Sequence, residues 1–268
     1  MHPPAGNVEK EVLLLAYPRS GSNWLRYILE FIYCKPTSSW EERLHPRDGS
    51  GNGNTPIFDT TGKPRTRPPY DPPRIEAAHY EKEDRTLPHV YHEHNVASIE
   101  DPERLPLIVL VRNYKECILR HTAPSPKNRF LLKVKDYWED YYRSLKFYDK
   151  HPGPKLLFYY EDLIDDKKLV DVLHELNEFM SSSPPCYEEL LQRFIEKLQI
   201  HREQSLEFYN AVAQVGGSHS DSKSSIFHSR QFELHKKQDV DNHFESVEPE
   251  LYKKFLKRYK EGDTDDKN

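Results

Sequence analysis

The residues best suited to chemistry come early in the chain. Arg19-Ser20-Gly21-Ser22-Asn23 follows an apolar run, Leu13-Leu14-Leu15-Ala16, and leads into a helical pattern through Trp24, Leu25, Tyr27, Ile28, Phe31 and Ile32. A buried strand, a tight turn and a helix N-terminus in that order aim backbone N–H groups and the positive end of a helix dipole at one point. That arrangement suits a phosphate-like anion. Gly21 lets the backbone approach closely, Ser20 and Ser22 add hydroxyl donors, and Arg19 adds a permanent charge. The turn lacks the Gly-x-x-x-x-Gly-Lys-Ser/Thr spacing of nucleoside-triphosphatases, which argues against an ATPase.

Two further groups carry chemistry. The apolar strand 107–111 runs straight into Arg112, a charge at the carboxyl end of a buried strand, where α/β sheets bind ligands. Bidentate guanidinium contact suits a phosphate. Upstream, His92-Glu93-His94 ends a short alternating strand, so both imidazoles fall on one face and Glu93 on the other. A neutral imidazole with an unperturbed pKa of ~6.5 is the usual general base at physiological pH.

These residues carry a resemblance. Tyr17-Pro18-Arg19-Ser20-Gly21-Ser22-Asn23-Trp24 resembles the 5′-phosphosulfate loop of sulfotransferases that use 3′-phosphoadenosine 5′-phosphosulfate (PAPS), usually Tyr-Pro-Lys-Ser-Gly-Thr-Thr-Trp. Val111-Arg112-Asn113-Tyr114-Lys115-Glu116 is similar to that family's 3′-phosphate segment, Val-Arg-Asn-Pro-Lys-Asp, and Phe158-Tyr159-Tyr160-Glu161-Asp162-Leu163 to its Phe-Tyr-Glu-Asp-Leu segment. The resemblance implies that Arg19, Ser20, Gly21, Ser22, Asn23 and Trp24 hold the 5′ end of the cofactor. It gives the 3′-phosphate to Arg112 and the adenine to Tyr160, with Trp24 on the other side of the base. Its Lys-x-His pattern gives His94 the role of base, places His92 where the family has lysine, and assigns Arg19 to the bridging oxygen. Sulfuryl transfer then runs by in-line displacement, with positioning and charge stabilisation dominant.

The chain departs from the family at three places. Arg120 stands where a serine is usual, and either holds the 3′-phosphate as a charge or pairs elsewhere. The closing Arg-Lys-Gly clamp is missing, although Asp241-Asn242-His243-Phe244 resembles the stretch after it; Lys223, Arg230, Lys236 and Lys237 are the basic residues at hand. His92 lacks the permanent charge of lysine.

The elements that must position these groups are legible as well. Apolar runs at 107–111 and 155–159 and an alternating stretch at 89–94 join the first strand, with a long helical pattern at 130–145 between two of them. Strands separated by helices imply parallel β-α-β crossovers. The expected fold is α/β, a central parallel sheet flanked by helices in a P-loop-like sulfotransferase arrangement, as one domain over 1–268. After residue 165 the pattern is helical, at 169–179, 187–198 and 249–259. A Pro- and Gly-rich stretch at about 43–87, containing Lys63, Arg65 and Arg67, reads as a substrate-side loop.

Composition narrows the function classes. A net charge of −5 argues against a general nucleic-acid binder. No apolar run nears the ~20 residues that span a bilayer. Cys34, Cys117 and Cys186 are too scattered for a disulfide framework or zinc site, and no metal is expected. A cytoplasmic enzyme acting on a hydroxyl or amine of a small-molecule acceptor is the expected reading, with the oligomeric state open. A nucleotide or small-molecule kinase and a catalytically silent nucleotide-binding module stand as alternatives.

Overall fold

Leu13, Leu14 and Leu15 of β1 (Glu11–Ala16) are all buried, because the strand lies in the middle of a sheet covered on both faces. A computed structural model describes residues 11–33, 37–38, 89–122, 135–180, 187–215 and 234–260. The other strands are β2 (His89–Glu93), β3 (Leu107–Val111) and β4 (Lys155–Tyr159). All pair in parallel, in the order β2-β1-β3-β4. Thr37 and Ser38 return beside β2, where Ser38 donates to Val90 O and its own carbonyl accepts from His92 N. The expected loop at about 43–87 lies outside the described residues.

Period-two alternation sorts the apolar side chains into two layers. Val12, Leu14, Ala16, Ile108 and Leu110 face α1 (Ser22–Tyr33), along with two helices that enter later in the chain. Leu13, Leu15, Leu107, Val109 and Val111 face α2 (Tyr114–Thr122) and α3 (Trp138–Lys150) on the other side. A short α4 (Tyr160–Ile164) follows β4 directly, and then come α5 (Leu169–Met180), α6 (Tyr187–Glu196), α7 (Leu198–Val215) and α8 (Leu234–Val247). The expected final helix at 249–259 is broken into one α turn, a wider π turn over Tyr252–Leu256 and a 3-10 turn over Lys257–Tyr259. No described helix is long and apolar enough to cross a membrane.

α7 meets α1 through polar groups. Tyr27 donates its hydroxyl hydrogen to Gln204 Oε1 at 2.7 Å, so its oxygen accepts the Nδ1–H of His201 at 2.8 Å. Burial, reinforced by Lys197, lowers the His201 pKa to about 4. The unfolded chain therefore binds a proton near pH 6.5 that the folded chain refuses until about pH 4. His201's share of stability is present in full above pH ~6.5 and drains as pH falls toward its folded value, by about 2–3 kcal/mol at pH ~4.5. Urea unfolding of the wild type and His201→Gln at neutral and acid pH checks this: the difference between the two proteins should shift by that amount. A pH-independent difference would refute the assignment.

Candidate active site

The anion-binding turn is built from two left-handed residues. Arg19 has φ 71° and Gly21 φ 87°. Glycine takes that conformation without strain, but an arginine does not, and such outliers concentrate at functional sites. Ser20 N donates to Tyr17 O at 3.1 Å, and the N–H groups of Trp24 and Leu25 both reach Gly21 O. This caps the start of α1, whose first N–H groups then point out of the helix end. A Cβ on Gly21 would lie 2.2 Å from the Tyr160 ring, so the close approach of loop to ring requires glycine.

Arg112 closes the turn from beneath. Its Nη1 donates to Arg19 O at 3.3 Å, its Nη2 to Glu116 Oε2 at 2.6 Å, and its guanidinium lies 4.2 Å over the Tyr160 ring. Gly21, Tyr160 and Arg112 thus meet as one unit. The backbone at Arg112 is fixed in turn, since Tyr141 donates its hydroxyl to Arg112 O at 2.5 Å. Asn113 caps α2 by accepting Lys115 N at 3.1 Å, while Asn113 N donates to Glu161 Oε1 at 3.2 Å.

Histidine 94 sits just past β2 at the carboxyl edge of the sheet. Its Nδ1 lies 2.6 Å from Ala16 O. A carbonyl only accepts, so Nδ1 carries the hydrogen and Nε2 of the neutral ring keeps its lone pair. The residue is exposed at the surface, although enough protein surrounds the imidazole for burial to act on its charge. Burial lowers its pKa, partly opposed by the Ala16 bond and helped by His121, Arg26 and Arg19. His94 therefore stays a neutral base below the pH at which a free imidazole would protonate.

Several expected residues are placed differently from a simple list of ligands. His92 shares a face with His94, the rings meeting edge-on at 4.7 Å, but it is 3% exposed. Burial first, then His94 and Arg26, holds its pKa well below 6.5, so it is neutral and offers no cation in place of the family's lysine. Ser20 is fully buried, its hydroxyl 3.6 Å from Cys117 Sγ and directed inward. Ser22 is buried and Asn23 half-buried in the first turn of α1. Trp24 is buried, its ring 5.8 Å from that of Tyr27 and 5.7 Å from that of Phe194, with Nε1 donating to Leu163 O at 3.3 Å. Arg120 is on α2; its side chain, like Lys223, Arg230 and Lys236, lies outside the described residues.

Three supporting residues were not singled out from the sequence. Lys115 is fully buried and donates to Asp241 Oδ1 at 2.5 Å and Tyr259 O at 2.6 Å. Glu161 accepts from Asn113 N and from the Tyr259 hydroxyl at 2.7 Å. Glu116 pairs with Arg112. The Asn113-x-x-Glu116 spacing, a helix-start signature, was the available signal for the last of these. Among the described residues, no three His, Cys, Asp or Glu side chains gather as metal ligands would.

Comparison with known proteins fits this geometry. The family model for the sulfotransferase domain matches residues 9–262. Among solved structures, mouse sulfotransferase SULT7A1 complexed with PAP is similar, with 15% identity and a TM-score of 0.52, over 92% of this chain and 88% of that one. Retinol dehydratase in complex with androsterone and the inactive cofactor PAP matches at 14% identity and a TM-score of 0.49, over 90% and 81% of the two chains. No curated protein matches the chain. The kinase alternative falls with the family match, because the anion turn, the Arg112 segment and the parallel sheet lie together within the matched span. The chain belongs to the sulfotransferase domain family, the enzymes that move a sulfuryl group from PAPS to an acceptor.

Proposed function

We propose that this chain transfers the sulfuryl group of PAPS to a hydroxyl or amine of a small-molecule acceptor, with His94 as the base. The observation that carries the reading is the His94–Ala16 hydrogen bond, which fixes the tautomer and presents a lone pair on Nε2 at the sheet edge beside the anion turn. The donor set suits a nucleotide with phosphates at both ends: a helix N-terminus at Ser22 for one, and the Arg112 guanidinium for the other. When bound, PAPS supplies the sulfuryl group and a phosphate leaving group.

The residues then act as follows. The turn at 19–23 holds the 5′ end, and Arg19 neutralises charge at the leaving oxygen. Arg112 takes the 3′-phosphate, Tyr160 lies along the nucleotide, and His94 Nε2 accepts the acceptor's proton as the new bond forms. Arg120 adds charge from α2. No metal is part of this reading. A cytoplasmic setting belongs to the same proposal.

Titration calorimetry with 3′-phosphoadenosine 5′-phosphate (PAP), with ATP and Mg²⁺ as comparison, tests the cofactor. PAP should bind, and Arg112→Ala should weaken it by at least about tenfold, the loss expected of a charge-assisted phosphate contact. Binding of ATP with Mg²⁺ in preference to PAP would overturn the proposal.

A further inference from the structure

The partners of Arg112 point to a residue that works against the cofactor. In a capping box, the acidic residue three positions into a helix reaches back to the N-cap N–H. Asn113 is that N-cap and Glu116 that residue, yet the Asn113 N–H goes to Glu161 of α4. Relieved of that role, Glu116 turns to Arg112, four residues earlier, with Oε2 2.6 Å from Nη2. The pair is largely enclosed, the two side chains 12% and 19% exposed, so bulk water screens it only in part. Among the described residues, the guanidinium also meets Arg19 O and the Tyr160 ring, both of which hold it at the anion turn.

A phosphate bound to the same guanidinium lies within about 6 Å of the Glu116 carboxylate, where like charges repel strongly away from bulk water. We propose that Glu116 sets cofactor affinity by competing with the 3′-phosphate for Arg112, loosening the hold on 3′-phosphorylated nucleotides, spent product included. The proposal rests on the assignment of Arg112 to the 3′-phosphate made above. It is specific to that phosphate, since the 5′ end is held at the helix terminus. A nucleotide lacking a 3′-phosphate has nothing to compete for.

Calorimetry of wild type, E116Q, R112M and the R112M/E116Q pair with PAP and with adenosine 5′-monophosphate tests it. Glutamine keeps an oxygen that can accept from Nη2 while removing the charge. PAP should bind E116Q about tenfold more tightly than wild type, and adenosine 5′-monophosphate should bind both alike. The gain should vanish when R112M/E116Q is compared with R112M. Equal tightening of both nucleotides, or unchanged or weaker PAP binding to E116Q while wild type binds PAP, overturns the inference alone. A wild type that binds no PAP removes the cofactor assignment, and this inference falls with it.

Discussion

Replacing His94 with alanine is expected to lower sulfuryl transfer by about 10²–10⁴-fold, the usual worth of a positioned general base, while PAP affinity and the melting temperature stay close to wild type. The side chain is exposed and meets Ala16 O through a hydrogen bond and the His92 ring edge-on, so its loss gives up one hydrogen bond and opens no core cavity. The pH profile adds a second readout. Burial, then His121, Arg26 and Arg19, lower the His94 pKa against the raising effect of the Ala16 bond, so the imidazole remains neutral at acidities where a free histidine is protonated. The acid limb of kcat/KM for wild type should therefore fall below pH ~6.5, the unperturbed value. His94→Gln keeps a hydrogen bond to Ala16 O but has no basic nitrogen, and should lose both the activity and the acid limb. Full activity in either variant would remove histidine from the mechanism. Absence of transfer in wild type alongside intact PAP binding would leave a silent binding module instead.

Sequence and structure agree where a single force decides. The run at 107–111 is uniformly apolar because both faces of the sheet are covered there, and it appears as a buried strand at those bounds. The run at 155–159 also appears as a strand at its bounds, but it lies at the sheet edge, opens with Lys155 and buries only Phe158, so it is half-buried and not a further fully buried strand. The turn at 19–23 was legible for the same reason: an apolar strand has to stop, and Gly21 marks where. Agreement ends where tertiary contacts choose between equal local options. Trp24 suits base stacking and core packing alike, and only the structure shows that it packs beside Tyr27 and Phe194. Glu116 has the spacing of a capping box, but Glu161, 48 residues from Asn113, supplies that bond. Thr37 and Ser38 carry no strand pattern, yet they extend the sheet because β2 offers Val90 O and His92 N. Among the described side chains of α8, the apolar Val240 and Phe244 are fully buried, too few to announce the helix by pattern, and a buried Asp241 anchors it.

That anchor makes the second large effect. Lys115→Met is expected to destabilise the fold by about 3–5 kcal/mol, because it takes the cationic partner from a carboxylate that is buried away from water. Asp241 is 1% exposed and receives both the Lys115 ammonium and the Tyr114 hydroxyl, while Lys115 also donates to Tyr259 O. Tyr114 in turn stacks on Phe244 at 4.2 Å, and Tyr142 donates to Phe244 O. One ion pair thus ties α8 and the C-terminal turns to the start of α2, the residues just after Arg112. Removing either charge alone strands the other, whereas removing both exchanges an ion pair for packing, and the energies need not add. Urea unfolding of Lys115→Met, Asp241→Leu and the double variant should show each single change costing more than half of the expected range and the double costing less than their sum. PAP affinity should fall in the single variants at temperatures where they remain folded, since the turn bearing Arg112 loses its support. If the singles are no less stable than wild type, the ion pair is not what holds α8 in place, and the C-terminal segment is fixed by its aromatic packing and its other hydrogen bonds.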